Sequence, residues 1–462
     1  MITYQDFLKI GDRPDEIAKF VKKVIDQHKS SDLYQTAKTA DDYDRCQNTT
    51  IMQYQKVITL VTGQVVPDKY SATHRSCSNY FNIFTTQLCQ YLLGNGVTWK
   101  NDQTAKLGDD FDLRLQQMTH SALCGSVAYG FYNDNHVVVF TPLDFAALLD
   151  EETGEMPAGV RFWQIAPDKP LRAALYEKDG VTNFMWAREN PGDEWQYIEQ
   201  DAYMQPKTAY TYTVTGDNKD RADGTVKITE GEPAPGFPII PLYANRHHQS
   251  ELVGLREKID AYDFILNGFE DDLDNAQLYW ILSGAGGMED SDLQQFLDRL
   301  KTVKAAAPET DQSVTPVTVE IPVTARETLL ERLNKQLYRD AMIMNPEDIA
   351  SGATTATQIK AAYERQNVKA DQLEYCVLEF LYRLMEIAGI KDDPTFTRSV
   401  IVNSQEEVQT VTQAAQWLTD DYVRQKVLTL MGDGDKFDEM QKQIDANEMP
   451  EMTVVTTDAE TA

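Results

Sequence analysis

The sequence predicts an α+β chain, mainly helical, and three observations carry that prediction. Apolar residues recur at helical spacing through residues 1–125 and again beyond 246. Short β-branched and aromatic runs separated by turn signals fill 126–240. One apolar face is then held over about 35 residues from 354 to 388, enough for a helix about 50 Å long. The 462 residues are 42% hydrophobic and 25% charged, a normal globular composition with length for about three domains.

In the first part, Ile17, Phe20, Val21 and Val24 mark one helix, and Phe81, Phe84, Leu88 and Leu92 another that Gly94 and Gly96 close. A third, over 112–124, ends in Cys124-Gly125-Ser126, where the period changes. Runs at 128–132, 136–140, 160–165, 184–188, 195–199 and 210–214 read as strands, and 216–224 as a long hairpin tip. Residues 231–238, rich in proline and glycine, read as a linker.

Helical text resumes after Pro241. Leu252, Leu255, Ile259, Tyr262, Leu266, Phe269 and Leu273 fall at steps of three and four, an a/d seam that wants a partner helix. Residues 283–323 break the helix with a glycine-rich turn, a short helix at 290–303 and a proline-punctuated β segment at 313–323. Thr324 and Glu327 have capping-box spacing at the start of the next helix, which Asn345-Pro346 is expected to stop. Two helices therefore bracket a small insert. The long helix of 354–388 follows, then two or three acidic helices, then a disordered tail from 450.

Charge excludes one class of function. With 73 acidic against 43 basic side chains the net charge is −30, whereas gripping nucleic acid depends on Lys and Arg displacing phosphate counterions. No stretch has the length of an apolar membrane span, and the opening residues lack the features of a secretory leader. Cys46, Cys77, Cys89, Cys124 and Cys376 are scattered and lack a CxxC pair, which argues for free thiols over disulfides or a zinc site.

No catalytic residue, metal ligand or cofactor site emerges from the motifs. His247-His248 has no third ligand at metal-binding spacing and reads as a linker pair. The glycine-rich stretches lack the lysine of a phosphate loop, so any motor must be a separate polypeptide. Carboxylate groups at Asp109, Asp110 and Asp112 and at Glu270, Asp271, Asp272 and Asp274 leave open a soluble metal-dependent hydrolase whose ligands meet only in the fold.

The order of these parts resembles the portal proteins, or head-to-tail connectors, of tailed bacteriophages, of the siphovirus type. Tyr91-Leu92-Leu93-Gly94-Asn95-Gly96-Val97 is similar to the close of the family's early helix, and Ala122-Leu123-Cys124-Gly125-Ser126-Val127-Ala128-Tyr129 to its entry into strands. Ile240-Pro241 with Asn245, then Leu255, Ile259-Asp260, Tyr262 and Asp263, resembles its lead into the stem, and Ser351-Gly352 its turn after the tunnel loop. The resemblance implies a portal fold: wing 1–245, stem helix 246–282, clip 283–323, stem helix 324–342, tunnel loop 343–353, long wing-to-crown helix 354–390, crown 391–449 and tail 450–462.

It also implies a non-enzymatic homo-oligomer, a ring of about twelve subunits at one capsid vertex of the virion, assembled in the host cytoplasm. Double-stranded DNA would pass through its channel during packaging and ejection. The implied partners are terminase, a head-completion adaptor, and major capsid and scaffolding proteins, with no cofactor and no membrane. Met344, Asn345, Pro346, Glu347, Asp348, Ile349, Ser351 and Gly352 would form the tunnel loop, and the seam leucines and aromatics would pack subunits. Arg326, Arg332, Lys335 and Arg339 are candidates for channel phosphate contacts or for salt bridges to Glu270–Asp274, the commoner arrangement on adjacent helices.

Overall fold

The computed structural model describes residues 2–11, 13–59, 64–68, 71–101, 106–133, 135–190, 192–198, 207, 210, 236–275, 280–283, 313–316, 322–347, 356–399, 404–431 and 434–448. They fall into two compact units: residues 1–343 with 368–399, and residues 344–367 with 400–462. The expected hairpin tip at 216–224, the short helix at 290–303 and the tail lie outside the described residues.

The first unit begins with helices α1 (Tyr4–Leu8), α2 (Pro14–Lys29), α3 (Asp32–Asp44) and α4 (Thr49–Met52). Pro14 opens α2 with Asp15 and Glu16 in its first turn and Lys29 in its last, charges that suit the helix dipole. Strands β1 (Val57–Thr59) and β2 (Val65–Pro67) pair, α5 (Tyr80–Leu93) leads to β3 (Val97–Thr98), and α6 (Phe111–Gly125) follows.

Seven strands then alternate with turns: β4 (Val127–Asn133), β5 (His136–Phe140), β6 (Phe145–Leu148), β7 (Ala158–Trp163), β8 (Leu171–Glu177), β9 (Gly180–Ala187) and β10 (Gln196–Tyr197). β6 to β10 form an antiparallel meander, while β11 (Ile239–Tyr243) joins β4 and β5 in a second sheet. The meander is buried on both faces. In β8, Leu171, Ala173 and Leu175 face α2 through Phe20, Val21, Val24 and Ile25, while Ala174 and Tyr176 face Val127, Tyr129 and Phe140 of the second sheet. β8 carries no strand signal in the sequence because a strand buried on both faces has no polar alternation.

Helix α7 (Arg256–Asn275) leads to a ribbon of β12 (Trp280–Ser283) and β13 (Ser313–Pro316), in which Trp280 lies opposite Pro316. Then come α8 (Val323–Ala341) and the long α9 (Ala356–Ala388), followed by β14 (Thr395–Phe396) paired with β3. Residues 368–388 of α9 bury Leu373, Val377, Phe380, Leu381 and Leu384. A Cβ placed on Gly130 of β4 would lie 2.9 Å from the Phe380 ring, so only glycine lets this helix approach the sheet so closely.

The second unit holds the first turns of α9 with α10 (Ser404–Ala414), α11 (Asp420–Met431) and α12 (Phe437–Glu448), in which α11 packs on both neighbours. Among the described residues no helix is long and apolar enough to cross a membrane.

Candidate functional site

Helices α7 and α8 run antiparallel in a register fixed at both ends. Near one end the Arg326 guanidinium bonds the Asp272 carboxylate, donates to the Gly268 carbonyl at 3.2 Å and lies 5.6 Å from the centre of the Phe269 ring. Near the other, Lys258 Nζ is 3.0 Å from the Asp340 carboxylate. The two contacts are about 14 residues apart on each helix, about 21 Å of continuous pairing.

The opposite face of α7 is polar and buried. Asp263, Asn267 and Asp271 recur every fourth residue and accept the backbone N–H groups of Ser78, Ser76 and His74 at 3.0, 2.6 and 2.8 Å. Asn267 Nδ2 also donates to the Ser76 carbonyl at 2.8 Å. The geometry matches because four helical residues rise about 6.0 Å and two extended residues about 6.6 Å. The helix thus hydrogen-bonds an extended segment as a neighbouring strand would.

Ion pairs and hydrogen bonds anchor both ends of this ladder. Asp271 meets Lys56 Nζ at 2.6 Å and His74 Nδ1 at 2.7 Å. Burial pushes the Asp271 carboxyl up, but these two partners hold it below the usual carboxylate range. The bond to Asp271 raises the His74 imidazole above its ordinary value. At the other end Asn48 Nδ2 donates to Asp263, whose carboxyl is pushed up by burial. One turn earlier, Asp260 accepts the hydroxyls of Tyr43 and Thr50. Tyr80 of α5 joins both helices: its ring is edge-on to Tyr262 at 5.1 Å and to Tyr338 at 6.3 Å, and its hydroxyl donates to Asn334 at 3.0 Å.

These positions correct several expectations. Leu252 and Leu255 precede α7 instead of lying on it, and with Ile259 they are buried within the chain. Tyr262, Leu266 and Phe269 are half-buried and Leu273 is 49% exposed, so only the far part of the seam remains open to a neighbour. The capping box does not form, because α8 starts at Val323 with Pro322 as its N-cap and Thr324 already inside. Nor does Pro346 stop that helix. It ends at Ala341, where Met342 turns left-handed (φ 57°) and Ile343 N–H reaches back to the Tyr338 carbonyl at 3.1 Å, a Schellman closure.

Met344 and Asn345, expected in a channel loop, are buried. Met344 N–H donates to Oε1 of the fully buried Gln366 at 3.0 Å, and Asn345 Oδ1 accepts Glu347 N–H at 3.1 Å. Pro346 and Glu347 are exposed, whereas Asp348, Ile349, Ser351 and Gly352 lie outside the described residues. Lys369 caps α8 by donating to the Ala341 carbonyl at 2.8 Å while pairing with Glu251 at 2.7 Å. Sequence reasoning singled out none of Asn267, Gln366 and Lys369. The four-residue recurrence of Asp263, Asn267 and Asp271 was the one visible signal.

The four basic candidates separate. Arg326 is in the ion pair with Asp272, and Arg339 contacts its neighbour Asp340 at 3.2 Å. Arg332 and Lys335 are exposed, have no ion-pair partner among the described residues, and share a shallow depression with Thr328, Glu331, Gln336 and Arg339. The acidic groups proposed for a hydrolase are largely used structurally: Asp110 binds Arg114 at 2.8 Å and His136 at 3.4 Å, and Asp271 and Asp272 are paired as above. His248 stacks on Tyr243 at 3.7 Å.

Residues 24–449 match the family model described as "Phage portal protein, SPP1 Gp6-like". The chain belongs to this family. It is 24% identical over 429 residues to the portal protein of Bacillus phage SPP1, covering 85% of this chain and 79% of that one. It is 27% identical over 188 residues to the portal protein of Clostridium phage phiCD119, covering 38% and 42%. A solved structure described as "Neck of native GTA particle computed with C12 symmetry" aligns over 76% of this chain and 89% of that one, at 11% identity and a TM-score of 0.42. The family assignment bears out the resemblance read from the sequence and gives the chain the role of a phage portal protein, in a family that is structural. The hydrolase reading finds no support.

Proposed function

We propose that the chain forms a non-enzymatic ring of about twelve subunits at one vertex of the virion, with double-stranded DNA passing through it. The observation that carries this reading is the portal family match over residues 24–449, within which α7 and α8 form a register-locked helix pair leading to the β12–β13 ribbon. In this reading α7 and α8 are the stem and residues 283–323 the clip that docks terminase and then the head-completion adaptor. The long helix and the acidic helices after it are wing and crown.

Two structural features refine the proposal. In this reading a tunnel loop would expose residues from Pro346 onward, because Met344 and Asn345 are buried and Met344 N–H donates to Gln366. Of the four basic candidates, Arg332 and Lys335 are exposed and have no ion-pair partner among the described residues, which suits transient phosphate contact. A ring of twelve would carry about 360 formal negative charges, so a channel sharing that bias repels the duplex and lets it slide.

Electron microscopy and native mass spectrometry of the purified chain test the ring: a stable monomer or dimer under all assembly conditions would sink the proposal. For the channel role, Arg332→Glu with Lys335→Glu should leave rings intact and alter DNA packaging in a reconstituted terminase assay. Unaltered packaging would remove the two residues from the channel.

A further inference from the structure

Away from the stem, three potential metal donors of different chemistry meet at one point. Asp44 ends α3, and His120 and Cys124 lie four residues apart on α6, hence on one helical face. One carboxylate oxygen, one imidazole nitrogen and the thiol sulfur all lie within 4.8 Å of one another, with His120 Nε2 3.3 Å from Asp44 Oδ1. Cys124 is buried and the other two are half-buried. The portal role uses none of the three.

We propose that Asp44, His120 and Cys124 form a binding site for a divalent metal of the zinc class, which staples α3 to α6 in the body of each subunit. Carboxylate, imidazole and thiolate are the donors such ions take, and on a tetrahedron of about 2.0–2.3 Å radius they sit about 3.3–3.8 Å apart. Closing the observed cluster onto an ion therefore takes a shift of about 1 Å. The carboxylate is already oriented, since Asp44 Oδ1 accepts Asn82 Nδ2 at 3.1 Å and Thr85 Oγ1 at 3.4 Å from α5.

A surface depression lined by Thr86, Cys89, Gln116, His120 and Ser121 reaches the cluster, so water can take the fourth position. On binding, Cys124 loses its proton to solvent, the proton on His120 Nε2 leaves to solvent or moves to Nδ1, and Nε2 exchanges its contact with Asp44 for a bond to the metal. Burial and the nearby Asp44 carboxylate raise the free thiol well above its ordinary value, so the ion must displace that proton.

The test uses the full chain, stripped with chelator and titrated with Co²⁺. One Co²⁺ per chain should bind with a thiolate-to-cobalt charge-transfer band and be displaced by Zn²⁺. The band should vanish in Cys124→Ser, and Asp44→Asn should weaken binding by at least about tenfold. His120→Gln, at a half-exposed position, should lose the band while retaining its circular dichroism. Zn²⁺ should raise the melting temperature of the unsubstituted chain, less that of Asp44→Asn, and not that of Cys124→Ser or His120→Gln. A folded unsubstituted chain that binds Co²⁺ without the band, or not at all, overturns the proposal. So does a band that survives Cys124→Ser and disappears when another cysteine is replaced.

Discussion

Replacing Asn267 by Ala removes the middle rung of the ladder between α7 and residues 74–78. In the intact protein its side chain satisfies both the N–H and the C=O of Ser76. A buried peptide group left unpaired costs about 1–3 kcal/mol. The Ser76 side chain is exposed, so water can reach the freed groups and each loss should fall near the low end. Two such losses give about 2 kcal/mol, or about thirtyfold in the equilibrium for local opening. Hydrogen exchange resolved to single amides reads this directly. His74, Ser76 and Ser78 should exchange slowly in the unsubstituted chain, and about thirtyfold faster in Asn267→Ala, while amides in the middle of α6 stay unchanged. If Ser76 exchanges as fast as a free amide before substitution, or changes less than about threefold after it, the helix is not acting as the segment's pairing edge.

The same ladder should respond to pH. Because Asp271 raises the His74 pKa, the contribution of that contact is full below the ordinary value of 6.5 and is lost as pH rises through the folded-state value. The His74 ring should titrate above 6.5 by NMR and return toward it in Asp271→Asn. Gly159→Ala should lower the melting temperature, because the added Cβ would fall 2.1 Å from the ring of the fully buried Phe145, an overpacking cost of about 1–3 kcal/mol. Gln366→Leu removes the buried acceptor of Met344 N–H at a similar cost, and limited proteolysis around residues 343–347 should quicken while cleavage elsewhere is unchanged.

Helices α2, α5, α6 and α9 were legible because each has an apolar stripe, whereas α3, which buries only Ala37, Ala40 and Tyr43, was not, and the strand at 136–140 was legible because a clear turn precedes it. Tertiary context took over where an element had more than one neighbour. β8 looks like any apolar run because two cores claim its alternate residues. The a/d seam predicted a partner helix, and the family resemblance implied that subunits pack along it, yet its first three positions, Leu252, Leu255 and Ile259, are buried by the chain itself. The end of α8 was assigned to the visible proline, whereas the left-handed turn at Met342 has no composition signal.

By itself the sequence determined the main helices, several of the strands, the acidic balance and the family, since periodicity, turn residues and charge are properties of the local chain. The fold alone decided which polar residues matter. Asp263, Asn267 and Asp271 are ordinary helical residues until an extended segment some 190 positions away in the chain needs hydrogen bonds, and Asp44, His120 and Cys124 share no motif until α3 meets α6. Arg326 and Arg332 likewise differ in nothing readable from the sequence, yet Asp272 pairs with Arg326, while Arg332 has no ion-pair partner among the described residues. The reason is that hydrogen bonds and ion pairs act over about 3 Å, so which groups can use them depends on which surfaces packing brings together.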